Sequence, residues 1–194
     1  VEMLKELLEQ LKPYKIPGIV VTITNPADIV ADYVRKGLGL ERNRVFGTGT
    51  LLDTARLIRT LSEESGVGRR SIQAYSLGEH GDSSMIPFSS VTIGGLPFDA
   101  YDISKEKVLE ATRQIGMTII EGKKSTEFGI GRALTEMAAC ILHDEKKIMP
   151  ASVLLQGEYG QHDVHCGVPC LIGKNGIEKI IELPLTEDEQ EMLN

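Results

Sequence analysis

Two short segments of this sequence carry side chains able to move a proton and to hold an acid. The first, Gly78-Glu79-His80-Gly81-Asp82-Ser83, sets one histidine between glycines with acidic neighbours. Glycine lets backbone approach a ligand closely. An imidazole both gives and takes a proton near neutrality. Alone, the segment reads more simply as a surface turn that happens to hold a histidine. The second segment, Gly47-Thr48-Gly49-Thr50-Leu51-Leu52-Asp53-Thr54-Ala55-Arg56, changes that balance. It has the form of a loop feeding a helix, with Thr50 as the expected N-cap. Leu51, Leu52, Ala55, Ile58 and Leu61 recur near helical spacing, and Asp53 and Arg56, three apart, share a face. A surface pair of that spacing contributes only about 0.3–0.5 kcal/mol. Here both charges flank the apolar stripe, which predicts partial burial. A carboxylate so placed can hold and charge-stabilise an imidazole, and a guanidinium can clamp a substrate carboxylate through two parallel hydrogen bonds.

The elements that must position these groups alternate along the chain. Val1 to Leu11 has a helical apolar face (Leu4, Leu7, Leu8, Leu11) ended by Pro13. Ile19 to Thr24 is a β-branched run between Pro17-Gly18 and Asn25-Pro26 and reads as a buried parallel strand. Asn25 then reads as the N-cap of a helix with Pro26 first and its end at Gly37. That capping role alone is reason enough for an asparagine there. Strands are expected at Ile72–Leu77, Phe88–Ile93, Ala151–Leu155, Cys166–Ile172 and Ile177–Leu183, and long helices at Ser104–Gly122 and Thr126–Leu142. Thr186 with Glu189 forms a capping box for a last helix.

Three blocks carry a family likeness: Thr24-Asn25-Pro26-Ala27-Asp28, the run Arg44 to Arg56, and Gly78 to Ser83, with further similarity at Lys123–Gly129 and Val168–Gly173. Together they resemble the L-2-hydroxy acid dehydrogenases of the lactate and malate dehydrogenase superfamily, over essentially the whole chain. The resemblance implies an α/β fold: the end of a doubly wound (Rossmann) sheet over residues 1–46, then an α+β catalytic and substrate-binding domain with antiparallel strands over residues 47–194. It also implies NAD as hydride carrier and a small 2-hydroxy or 2-oxo acid as substrate. By the same resemblance His80 exchanges the hydroxyl proton, Asp53 orients His80, and Arg56 holds the substrate carboxylate. Asn25 contacts the substrate oxygen or the nicotinamide edge, and Thr126 lines the substrate pocket. A helix N-cap is the competing reading of Thr126. Glu79 is typical of lactate-type members. The run Thr48–Arg56 is also close to L-2-hydroxyisocaproate dehydrogenases, and a malate-type activity stays open. Some bacterial members carry an Arg and a His for fructose 1,6-bisphosphate where this chain has Ile58 and Gln73, which argues against that control. Members assemble as homodimers or homotetramers.

The family's G-x-G-x-x-G dinucleotide turn has no counterpart here. Gly129-Ile130-Gly131 lies inside an expected helix and reads as a packing point. The sequence therefore resembles the C-terminal part of such an enzyme, and little activity is expected of these residues alone. A reading of another class also stands: an interaction module whose helix Thr50–Ser65 packs against a second copy. A net charge of −7 argues against nucleic acid, no apolar run is long enough to span a bilayer, and three cysteines favour a reducing, cytoplasmic setting. His162, His165, Cys166 and Cys170 are loosely zinc-like, but their spacing suits a strand better, so no metal is expected.

Overall fold

The computed structural model describes residues 2–81, 83–124 and 126–194, without the side chains of Ile120 and Lys123. Asp82 of the histidine segment and Ser125 of the Lys123–Gly129 block lie outside the described residues. The chain opens with helix α1 (Glu2–Leu11), strand β1 (Val20–Thr22), helix α2 (Ala27–Leu38) and strand β2 (Val45–Gly47). Because β1 and β2 are parallel, the chain must cross over between them, and α2 is that crossover. Leu8, Val34 and Val45 form a small core beneath it. Helix α3 (Leu51–Ser65) follows, then the short strands β3 (Ile72–Gln73), β4 (Thr92–Ile93) and β5 (Leu96–Pro97). The second half holds α4 (Lys105–Lys123), α5 (Phe128–Leu142), β6 (Lys147–Gln156), β7 (His162–Gly173), β8 (Gly176–Ile180) and α6 (Glu187–Leu193).

One mixed sheet of order β1-β2-β6-β7-β8 joins both halves, and β3-β4-β5 make a separate antiparallel sheet. The junction is narrow: Gly47 of β2 pairs antiparallel with Ser152 of β6. Strand alternation then sorts β6 and β7 into two faces. Met149, Ala151, Val153 and Leu155, with Cys166, Val168, Cys170 and Ile172, join Ala133, Met137 and Cys140 of α5 in the main core. The alternate positions Ser152, Leu154, His165 and Gly167 turn toward the other face, against which α2 packs. A second core gathers Leu57 and Leu61 of α3, Ile72, Phe88, Val91, Ile93 and Phe98, and Val108 of α4. This α/β architecture, with mostly antiparallel strands after the parallel pair, is the expected fold class.

Several local expectations need correction. Helix α2 starts at Ala27 with Pro26 in extended conformation as its N-cap, so Asn25 does not cap it. The helix also runs through Gly37 to Leu38, because Leu8 of α1 packs against the bare Gly37 backbone. Thr50 sits at the N-cap position of α3 but gives the helix no side-chain hydrogen bond. Its hydroxyl donates instead to the Ser76 carbonyl at 2.5 Å, while the Ser76 N–H donates to Thr54 Oγ1 at 2.9 Å. Strand β3 ends at Gln73 rather than Leu77, and Leu77 instead forms an isolated antiparallel bridge with Met85. Phe88–Ser90 is a 3-10 turn, not strand. Helix α5 begins two residues late, with Glu127 rather than Thr126 at its N-cap. The capping box of Thr186 and Glu189 is present on α6, and Gly129 packs on Leu52 of α3.

Candidate active site

Three separate elements converge on His80. Helix α3 presents Asp53 in its first turn and Arg56 one turn on, both beside buried Leu57. The loop carrying His80 is fastened to the sheet by a reciprocal pair of backbone bonds, Gly78 N–H to the Gly167 carbonyl and Gly167 N–H to the Gly78 carbonyl, 3.0 and 2.8 Å. A Cβ at Gly167 would lie 2.7 Å from Thr50 Oγ1 and 3.0 Å from the Gly78 oxygen, so only glycine permits this approach. Gly49, at φ +48, is equally tight: a Cβ there would stand 2.6 Å from the Ser152 nitrogen. The start of α3 and the histidine loop are thus both laid directly on β6 and β7.

The resulting geometry links the groups in a row. His80 Nδ1 lies 2.6 Å from Asp53 Oδ2, and Arg56 Nη1 donates to Asp53 Oδ1 at 3.0 Å. An ionised carboxylate only accepts, so Nδ1 carries the shared proton and Nε2 faces away with its lone pair in neutral His80. The three side chains are between 16% and 22% exposed, so each is largely screened from solvent without being sealed off. The hydrogen bond to Asp53 raises the His80 pKa above its ordinary value, against the opposing effect of burial; Asp28 adds to the rise and Arg56 lowers it. Arg56 has donor capacity left: its Nε–H is buried with no partner among the described residues. The Gly116 backbone of α4 lies against the guanidinium, where a Cβ would stand 3.2 Å from Nη1.

The structure therefore brings Asp53, Arg56 and His80 together. Asn25 is exposed at the carboxyl end of β1, beside an apolar cleft of about 590 Å³ lined by Leu4, Leu7, Ile29 and Tyr33. Thr126 is half-buried, two residues before α5, which packs on α3 through Gly129 and Leu52. Two participants were not recognised from sequence. Asp28 accepts the His80 backbone N–H at 2.9 Å and the Ser152 hydroxyl. Asp28 lay in plain view three residues after Asn25, but its partners are 52 and 124 residues away. The zinc-like group does not converge: His165 and Cys166 point to opposite faces of β7, His162 is exposed, and among the described residues no three such ligands could hold a metal.

Comparison with known proteins assigns the chain to a family. Residues 50–194 match the family described as lactate/malate dehydrogenase, alpha/beta C-terminal domain. The chain is 45% identical to an L-lactate dehydrogenase of Fusobacterium nucleatum, over 97% of this chain and 64% of that protein. It is 39% identical to L-lactate dehydrogenase 1 of Bifidobacterium longum, over 100% of this chain and again 64% of the relative. Among solved structures it superposes on a lactate dehydrogenase from a Medee basin deep-sea metagenome (TM-score 0.93, 37% identity, 100% of this chain and 64% of that one). It also superposes on the malate dehydrogenase of Aeropyrum pernix (TM-score 0.91, 38% identity, 99% and 65%). The chain thus spans about 58–64% of the length of the curated relatives it matches. On its fold, its residues 50–194 and these likenesses, the chain belongs to the lactate/malate dehydrogenase family.

Proposed function

We propose that this chain is the proton-transferring and substrate-binding part of an NAD-dependent L-2-hydroxy acid dehydrogenase, with L-lactate and pyruvate as the pair that fits best. The observation that carries the reading is the row His80–Asp53–Arg56: a proton carrier, its orienting carboxylate and a cation, linked by hydrogen bonds with each side chain between 16% and 22% exposed. In this account Arg56 holds the substrate carboxylate and so fixes which face of C2 is offered for reaction. His80 Nε2 takes the hydroxyl proton as the alcohol becomes a ketone and returns it in the reverse direction. Asp53 keeps the Nδ1–H tautomer and stabilises the imidazolium. NAD, when bound, supplies the hydride acceptor. Of the residues in this chain, Asn25 fits one edge of that group: its exposed amide can both donate and accept beside an apolar cleft. Thr126 belongs to the substrate side, near the α3–α5 contact.

The test uses the protein together with a cofactor-binding half. His80→Gln is expected to abolish NADH-linked reduction of pyruvate while leaving assembly unchanged. Near-normal turnover of that variant would count against the reading. These 194 residues alone are expected to show little or no NADH-linked turnover. Self-association as a dimer or tetramer belongs to the same proposal and is measured by light scattering. Side-by-side kcat/KM values for pyruvate, oxaloacetate and a branched 2-oxo acid separate the lactate, malate and hydroxyisocaproate alternatives.

A further inference from the structure

We infer that Asp28 is a positioning residue for His80, bridging the backbone N–H of His80 and the hydroxyl of Ser152 so that the imidazole is held from two helices at once. This rests on the dehydrogenase reading of His80. Asp53 of α3 grips the ring at Nδ1. Asp28, in the first turn of α2, grips the main chain of the same residue, Oδ2 to the N–H at 2.9 Å. Its other oxygen accepts from Ser152 Oγ, and Ser152 is fully buried in β6. The histidine is flanked by Gly78 and Gly81, and a glycine-flanked loop has much conformational freedom to lose. With Gly78 tied to Gly167 and the His80 nitrogen tied to Asp28, little of that freedom remains.

The bridge suits a carboxylate, whose two oxygens accept from the His80 N–H and the Ser152 hydroxyl at once. An asparagine could keep both contacts only if the Ser152 hydroxyl turned round to accept from its NH₂ group, and it would carry no charge. The charge matters as well. Among the described residues, the charged and titratable groups around His80 are Asp53 and Arg56 from α3, Asp28 from α2 and Glu79 from its own loop, with the Cys166 thiol of β7 near Asp28. Asp28 joins Asp53 in favouring the imidazolium, and Arg56 opposes both. Asp28 therefore steadies the position of the ring and the charged form it takes when it accepts a proton.

Two variants test this, Asp28→Asn and Ser152→Ala, in the protein with its cofactor-binding half. Each is measured for kcat and KM and, by NMR, for the titration midpoint of the His80 ring. Asp28→Asn is expected to move the midpoint downward and to lower kcat about 10–100-fold, with little change in KM because Asp28 does not touch substrate. Ser152→Ala keeps the charge and loosens one bond, so a smaller fall in kcat is expected; it also serves if Asp28→Asn does not fold. A His80 midpoint and a kcat both equal to wild type in Asp28→Asn would overturn the inference, as would a defect confined to KM. If the wild-type protein shows no turnover but Asp28→Asn still shifts the His80 midpoint, the dehydrogenase reading fails while the hold of Asp28 on His80 stands.

Discussion

His80 and His165 are both screened imidazoles beside a helical aspartate, yet they sit in opposite electrostatic situations. His80 Nδ1 is 2.6 Å from Asp53 and hydrogen-bonded to it; its pKa is raised by that bond. His165 Nδ1 is 3.3 Å from Asp32 but not aligned for a hydrogen bond, and neither ring nitrogen has a hydrogen-bond partner among the described residues. Burial dominates there and pushes its pKa down to about 4, with Asp32 opposing and Arg35 and Lys36 adding to the fall. Asp32 is also shared with Arg35 and Lys36, which divides its charge among three neighbours. Residue type and rough proximity are therefore the same in the two regions, and alignment and desolvation decide the outcome. A His–Asp pair is a proton-transfer device only where the carboxylate reaches the ring and the far nitrogen stays open.

The largest effect that sharpens this contrast is expected from Asp53→Asn. It keeps the shape and removes both the tautomer control and the charge, and kcat should fall about 10³–10⁴-fold in steady-state assays. The matching change on the other side, Asp32→Asn, should leave kcat within about threefold, because nothing on the substrate side depends on His165; a kcat loss like that of Asp53→Asn would break the comparison. Arg56→Lys comes next. A lysine cannot form the two-pronged clamp, so kcat/KM for pyruvate should drop about a hundredfold, with the loss shown in KM as well as kcat.

The pH predictions run in opposite directions for the two rings. His80 has its pKa raised, so its contribution to stability is present below the unfolded value of 6.5 and is lost as pH rises through the folded value. On the proposed mechanism pyruvate reduction draws its proton from His80, so its rate should hold past pH 6.5 before falling, and Asp53→Asn should bring the fall to lower pH. His165 is held neutral, so the unfolded chain binds the extra proton between pH 6.5 and about 4, and stability should decline as pH falls through that window. His165→Phe removes two unsatisfied buried nitrogens, and thermal melts should show no loss of stability at neutral pH and a smaller acid-side decline. The smallest effect is expected from fructose 1,6-bisphosphate. Ile58 and Gln73 do share one cleft, of about 230 Å³, but its cation Lys147 is already paired with Glu136. Activity should be unchanged by the sugar bisphosphate; activation in a titration would count against this reading.

Helical spacing put Asp53 and Arg56 on one face and the glycines marked the loop, while the pairing of His80 with Asp53 was legible only through the family resemblance. Long periodic elements were equally readable: α3, α4 and α5 lie where apolar spacing put them. What was not readable depends on partners distant in the chain. Thr50 looks like a cap until Ser76, 26 residues on, claims its hydroxyl. Asp28 looks like a helix-start residue until β6 and the histidine loop arrive on either side of it. The strand at Cys166–Ile172 was legible from its alternation, but the burial of His165 beside Asp32 was not, because Asp32 comes from a helix more than a hundred residues earlier.

The most direct measurement is an NMR titration of the imidazole rings of His80 and His165 in one sample of the wild-type protein. The account predicts a His80 midpoint above 6.5 and a His165 midpoint well below it, near 4. Two midpoints together near 6.5, or the two in reversed order, would contradict the claim that alignment with its aspartate makes His80 the proton carrier.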